Sequence, residues 1–321
     1  MQSRQIPRRL LITLLVILTL VLSTLIYVYF TLSGTHTEPE VETKDFKHLF
    51  SIYGYGKRSN QQLSRPNGIA VGKNGNIYLT DQENDRVLVF DKKGQFLFKF
   101  GKKGSKKGEF KTPMGIAISP SNQVFVTDRV QNKVLIFSSK GKFIKEFKVK
   151  IPLTPTVKNN QLYLTTYQGI TIFDLQGKQQ NKLGKKGRGK NEFDFPNGIA
   201  VDKDGTMYIA DSNNIRIQAL DAKGKSLWTV GEPPKASKDG SRRFGLPVSI
   251  AIDENNVLYV VDAFPGSIRV FSNKGKELAE LGKYGTEEGL LNHPAQIIYA
   301  GNRVFYIADK YNDRVQAIRI P

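Results

Sequence analysis

The chain has 321 residues, 39% of them hydrophobic and 24% charged, with a formal net charge of +19, three histidines and no cysteine. That composition supports a buried core and excludes a disordered chain, a disulfide scaffold, a cysteine nucleophile and a lipid-modified cysteine. Charge of this sign and size is common in nucleic-acid binders, so where the chain is delivered decides which polyanion it meets.

Residues 1–9 hold Arg4, Arg8 and Arg9 and form the expected cytoplasmic tail. From Leu10 to Leu32 no residue is charged, and sixteen of these 23 positions are Leu, Ile, Val or Phe. A helix of that length crosses a hydrocarbon layer of about 30 Å, and insertion is favoured by about 6 kcal/mol. The run is longer than a signal-peptide core and ends in Tyr27, Tyr29 and Phe30 rather than at a cleavage site, so 10–32 reads as an uncleaved single-pass anchor with the rest of the chain outside. Residues 33–45 are polar and acidic, an exposed linker. Residues 1–45 balance four basic groups with four acidic ones, so the whole +19 belongs to residues 46–321.

In that region one sentence is written repeatedly: "PNGIAVGKNGNIYLTDQENDRVLVFDKKG" (66–94) and "PNGIAVDKDGTMYIADSNNIRIQALDAKG" (196–224) have identical length without a gap. The aspartate closing the second apolar run recurs as Asp81, Asp128, Asp211, Asp262 and Asp309, and Thr166 holds its place in a shortened third copy. A proline lies 15 residues before each aspartate, and Pro152 lies 14 before Thr166. Each copy contains four short runs rich in Val, Ile, Tyr and Phe, separated by Gly, Asn and Asp turns, which predicts four antiparallel strands. Six such units predict an all-β, six-bladed propeller. The last copy stops after its third strand, whereas "KHLFSIYG" (47–54) has the fourth-strand pattern, so the N-terminal segment is expected to close the ring as the outer strand of the last blade.

These same residues, "PNGIAVD", "YIAD", "NDRVLVF", "NNIRIQAL", "NDRVQAI" and the "FGKKGSKKGEF" tail, resemble NHL repeats over residues 47–320. The resemblance implies a six-bladed propeller, and the membrane-anchored arrangement is similar to extracytoplasmic NHL sensor domains of bacterial receptor kinases, although no kinase is attached.

Two sets of residues stand out. Asp81, Asp128, Asp211 and Asp309 are each followed five residues later by Arg86, Lys133, Arg216 and Arg314, which reads as a structural clasp across the second turn. Each carboxylate is expected to accept N–H groups of that turn and pair with the base, contributing about 1 kcal/mol if exposed. The second set is the basic loops that join a fourth strand to the next first strand: Lys102, Lys103, Lys106, Lys107 and Lys111; Lys185, Lys186, Arg188 and Lys190; Lys235, Lys238, Arg242 and Arg243. In a propeller these loops share a face with the second-turn clasps, and together they would attract a polyanion. The first-strand starts Gly68, Gly115, Gly198, Ser249 and Gln296 predict a largely neutral channel mouth.

No catalytic residue and no metal ligand is assigned. Only His36, His48 and His293 are available, which removes the three-histidine zinc chemistry of peptide-amidating lyases with this fold. No cofactor is expected, while calcium held by channel carboxylates, as in gluconolactonase-like propellers, is left open. An outward-facing domain does not meet nucleic acid. The expected function is therefore membrane-tethered, extracytoplasmic recognition of a protein, a peptide or an anionic envelope polymer, with a metal-dependent hydrolase or lyase as the alternative.

Overall fold

A computed structural model describes residues 45–231 and 244–321. The tail, the anchor 10–32 and the linker as far as residue 44 lie outside the described residues, as do Lys235, Lys238, Arg242 and Arg243. Among the described residues no helix is long and apolar enough to cross a membrane.

In chain order, β1 (Lys47–Ile52) comes first. Blade 1 is β2 (Pro66–Val71), β3 (Ile77–Asp81), β4 (Arg86–Phe90) and β5 (Phe96–Phe100). Blade 2 is β6 (Pro113–Ile118), β7 (Gln123–Asp128), β8 (Lys133–Ser138) and β9 (Phe143–Lys148). Blade 3 is β10 (Pro152–Lys158), β11 (Gln161–Thr166), β12 (Gly169–Asp174) and β13 (Gln179–Leu183). A two-residue parallel pair, β14 (Lys185–Lys186) and β15 (Glu192–Phe193), braces the next connection. Blade 4 is β16 (Pro196–Val201), β17 (Met207–Asp211), β18 (Arg216–Leu220) and β19 (Ser226–Val230). Blade 5 is β20 (Pro247–Ile252), β21 (Leu258–Asp262), β22 (Ser267–Phe271) and β23 (Glu277–Leu281). Blade 6 is β24 (Gln296–Tyr299), β25 (Val304–Asp309) and β26 (Arg314–Arg319), with β1 antiparallel to β26 as its outermost strand.

Turn chemistry sets each meander. Asp91 accepts the N–H groups of Lys93 and Gln95, both at 2.8 Å, and Asp174 and Asp221 repeat the arrangement, so a short side chain mimics a backbone turn between third and fourth strands. The first strands β2, β6, β10, β16, β20 and β24 run side by side around a central channel. Close approach explains their glycines. A Cβ on Gly68 would lie 2.5 Å from the Met114 carbonyl oxygen, and one on Gly115 would lie 2.3 Å from Pro155.

The core sits between blades. Six hydrophobic clusters occupy the six blade-to-blade interfaces, for instance Val87 and Val89 with Ile116, Val124 and Leu135 between blades 1 and 2. The middle strands are consequently buried on both faces, which is why all five residues of "IYLTD" are buried and Ile77, Tyr78 and Leu79 follow one another without alternation. Side chains also cross between blades near the channel. Thr80 accepts the Gly68 N–H at 2.6 Å and donates to the Met114 carbonyl at 2.6 Å, Thr127 donates to the Leu153 carbonyl, and Ser212 donates to the Pro247 carbonyl.

Candidate functional site at the clasp face and channel mouth

The clasps form in blades 1, 4 and 6. Arg86 Nε lies 2.7 Å from Asp81 Oδ2, Arg216 Nε 2.9 Å from Asp211 Oδ2, and Arg314 Nε 2.8 Å from Asp309 Oδ2. Two details differ from the sequence expectation. These pairs are buried, with all three aspartates fully covered, so breaking one costs about 3–5 kcal/mol rather than the value of an exposed pair. Each carboxylate also takes its backbone N–H from 17 residues upstream, at the end of the preceding inter-blade loop: Ser64 to Asp81, Asp194 to Asp211, Asn292 to Asp309. The arginine reaches the same loop from the other side, Arg216 donating to the carbonyls of Arg188, Gly189 and Glu192. Asn84, Asn214 and Asn312, three residues after each aspartate, complete its shell. Burial raises the proton affinity of Asp81, Asp211 and Asp309 against the opposing pull of these donors.

Blade 2 departs from the pattern. Lys133 does not pair with Asp128; its Nζ lies 2.9 Å from Glu146 Oε2 on the neighbouring strand β9. An ammonium on a flexible stem has no planar fork to serve a carboxylate and several carbonyls together, so it settles on the nearest acid. Asp128 is satisfied instead by the N–H groups of Lys111, Thr112 and Gln131 and by the Gln131 amide. In blade 5, Asp262 accepts the N–H groups of Gly245 and Leu246.

Because the Arg216 clasp holds one inter-blade loop and Asp128 with Gln131 the other, both basic loops lie on the clasp face. Lys102, Lys103, Lys106, Lys107, Lys111, Lys185, Lys186, Arg188 and Lys190 are all exposed. Lys102 and Lys185 lie 3.6 Å and 3.3 Å from Glu109 and Glu192 of their own loops, and those two glutamates are held below the usual carboxylate range by backbone N–H donors of the loop and by the lysines.

At the centre of this face the channel opens into a cavity of about 300 Å³. The residue after the repeat proline lines it in every blade: Asn67, Met114, Leu153, Asn197, Val248 and Ala295. The glycines expected to form the mouth are used for strand contact instead, while Gln296 accepts the Ile69 N–H and Ser249 the Ile297 N–H. Nor is the mouth neutral, since Arg129 and Lys310 line it and its lining includes no Asp or Glu. Lys310 is held below the ordinary lysine value by burial and then by the positive charges of Arg65 and Arg129, with Glu83 opposing. Aromatic rings surround the opening: exposed Phe264, Tyr284 and Tyr311 all contact His293, and Arg129 lies 5.9 Å from the Phe195 ring centroid. Arg65, Ile151, Phe195 and His293, each directly before a repeat proline, adopt left-handed backbone with φ of +47° to +49°. Both the side chains and the following proline disfavour that conformation, so the surrounding blades hold the rim in place. None of these rim residues was visible as a motif. A comparison of the positions beside each repeat proline and after each repeat aspartate would have found Arg65, Arg129, His293 and Lys310. Among the described residues no group of three or more His, Asp or Glu side chains is placed to hold a metal ion.

A family model described as a 6-bladed beta-propeller matches residues 59–168, and the NHL repeat model matches residues 193–220. The chain is a six-bladed β-propeller that carries NHL repeat sequence. This propeller is 27% identical to a Caenorhabditis elegans protein named "Probable peptidyl-alpha-hydroxyglycine alpha-amidating lyase pgal-1" over 49% of the chain and 45% of that relative. It is 34% identical to mouse NHL repeat-containing protein 3 over 33% of the chain and 31% of that relative. The NHL propeller thus spans less than half the length of these curated relatives. Among solved structures, a streptogramin B lyase superposes with a TM-score of 0.61 at 15% identity, covering 86% of this chain and 98% of that one, a likeness of fold alone.

Proposed function

We propose that this NHL propeller is a non-enzymatic recognition module, tethered to a membrane by residues 10–32 and facing outwards, that binds an anionic envelope polymer or the acidic surface of a protein on its clasp face. The observation that carries this reading is the exposure of nine basic side chains on two loops held from below, one by the buried Arg216 clasp and the other by Asp128 and Gln131. Fixed cations on a rigid surface attract polyanions at low entropic cost and in a salt-dependent way. In this reading no cofactor takes part. The test is binding of the full-length chain to polyglutamate and to a teichoic-acid-like polyphosphate at rising salt. Lys106, Lys107, Lys186 and Lys190 changed together to Gln are expected to weaken binding about tenfold and flatten the salt slope. Binding that ignores both salt and the substitutions defeats the proposal.

The second reading is an enzyme of the hydrolase or lyase class working in the channel. The cavity with His293 and Lys310 favours it, and turnover of a lyase substrate abolished by His293→Ala would support it over recognition.

A further inference from the structure

We propose that the channel mouth is a second, separate binding site, which takes a single carboxylate carried on an apolar or aromatic body. It does not depend on the loop lysines. The argument begins with charge. Arg129 and Lys310 line one cavity, the arginine opposes the lysine's charge, and among the described residues neither side chain has an ion pair. Of the acids near the rim, Glu83 is engaged by Arg65 at 3.2 Å and the Asp313 carboxylate accepts the Arg65 N–H at 2.6 Å. Two like charges brought together without a counter-ion oppose folding, and an anion between them removes that opposition.

Shape and chemistry narrow the anion. The cavity, about 300 Å³, sits at the small end of ligand pockets and suits one functional group with a modest body rather than a polymer chain. Its walls mix apolar and polar groups, with Met114, Leu153, Leu246 and Val248 beside Asn67, Thr154 and Asn197 inside and Phe264 and Tyr311 at the rim, and both of these rings are more than half exposed. An exposed ring beside an unpaired guanidinium favours a planar acceptor and an apolar neighbour over a hydrated, multiply charged group. The strained pre-proline residues Phe195 and His293 fix the surrounding rings before a ligand arrives, which lowers the ordering cost of binding. The carboxylate has two possible sources, a free small acid or the C-terminus of a polypeptide.

Calorimetry on the purified full-length chain tests this with four probes: 3-phenylpropionate, its amide, the peptide acetyl-Gly-Gly-Phe as free acid, and the same peptide amidated. At least one acid is expected to bind, with its amide about tenfold weaker, and Lys310→Met and Arg129→Gln are each expected to weaken acid binding about tenfold. The four-lysine loop variant is expected to bind the acid as the unaltered protein does, so failure here and failure of polyanion recognition are separable. Binding of the peptide acid alone assigns the site to polypeptide ends, and equal binding of both acids assigns it to free carboxylates. The proposal is overturned if neither acid binds, if acid and amide bind equally, if inorganic phosphate binds as tightly as the acids, or if Lys310→Met, shown folded by its melting curve, binds the acid unchanged.

Discussion

Arg86, Arg216 and Arg314 each do two jobs that Lys133 does not: they neutralise an aspartate and hold loop carbonyls with the remaining N–H groups. The difference lies in the planar guanidinium fork, so Arg314→Lys is expected to destabilise the protein by about 2–3 kcal/mol although charge is kept, read as a lower urea midpoint. Lys310 has the opposite character. Its proton is bound more weakly in the folded protein than in the unfolded chain, because burial and the charges of Arg65 and Arg129 outweigh Glu83. Between that lowered value and the ordinary 10.5 the unfolded chain holds more protons, so this residue's contribution makes stability rise with pH. Lys310→Met is therefore expected to be more stable than the unaltered protein at neutral pH, by about 0.5 kcal/mol once solvent screening is allowed for, with the gap closing as pH approaches 10. Urea unfolding of both proteins at the two pH values measures it, and a variant no more stable at neutral pH contradicts the charge argument. A cation that costs stability where it stands is what a ligand site requires.

The inter-blade loop is the element that joins clasp to core. Its Phe110 or Phe193 is fully buried, lying over Gly101 or Gly184, where φ is +79° or +78° and a Cβ would come within 2.3 Å or 2.4 Å of the ring. Gly101→Ala is expected to cost about 2–4 kcal/mol, combining backbone strain with the clash, whereas Gly301→Ala, with φ +89° and open space around it, costs about 1 kcal/mol. Melting temperatures of the two variants compare them directly, and equal losses would show that the ring contact contributes nothing. The repeat spacing made the strands, the count of six and the glycine turns between strands legible, because each rests on short-range chemistry repeated from copy to copy. The buried state of the clasps was not legible, since the partner atoms are backbone groups of a loop 17 to 28 residues away and carry no side-chain signature. The mouth was hidden for another reason: Arg129, His293 and Lys310 each occur once, at positions where the other copies carry different residues. Identity between copies reports scaffold; a site built from six unlike residues on one ring is written in their differences.

At the scale of the molecule, closure rests on one strand pair. β1 runs antiparallel to β26 from the Lys47–Arg319 pair to the Ile52–Val315 pair, with a bulge between His48 and Phe50. Its Ile52 is buried in the cluster between blades 6 and 1, and Leu49 and Phe50 pack on the same cluster. Removing the strand takes away three apolar side chains, worth about 1.5–3 kcal/mol each where fully buried, and bares the N–H and C=O row of β26, a template for pairing with other chains. Deletion of residues 46–54 is therefore expected to lower the melting temperature and to give concentration-dependent aggregates by size-exclusion chromatography. The failure should begin at the two interfaces of blade 6, with blades 5 and 1, because the other four interfaces keep all four strands on both sides, so amide exchange should accelerate first in β25, β26, β23 and β2. A monomeric deletion protein with an unchanged melting curve would show that the ring closes through the inner strands β24 and β2 alone, where the Gln296 side chain already reaches the Ile69 N–H. Aggregation with uniform loss of protection in all six blades would instead make the propeller a single cooperative unit with no weakest seam.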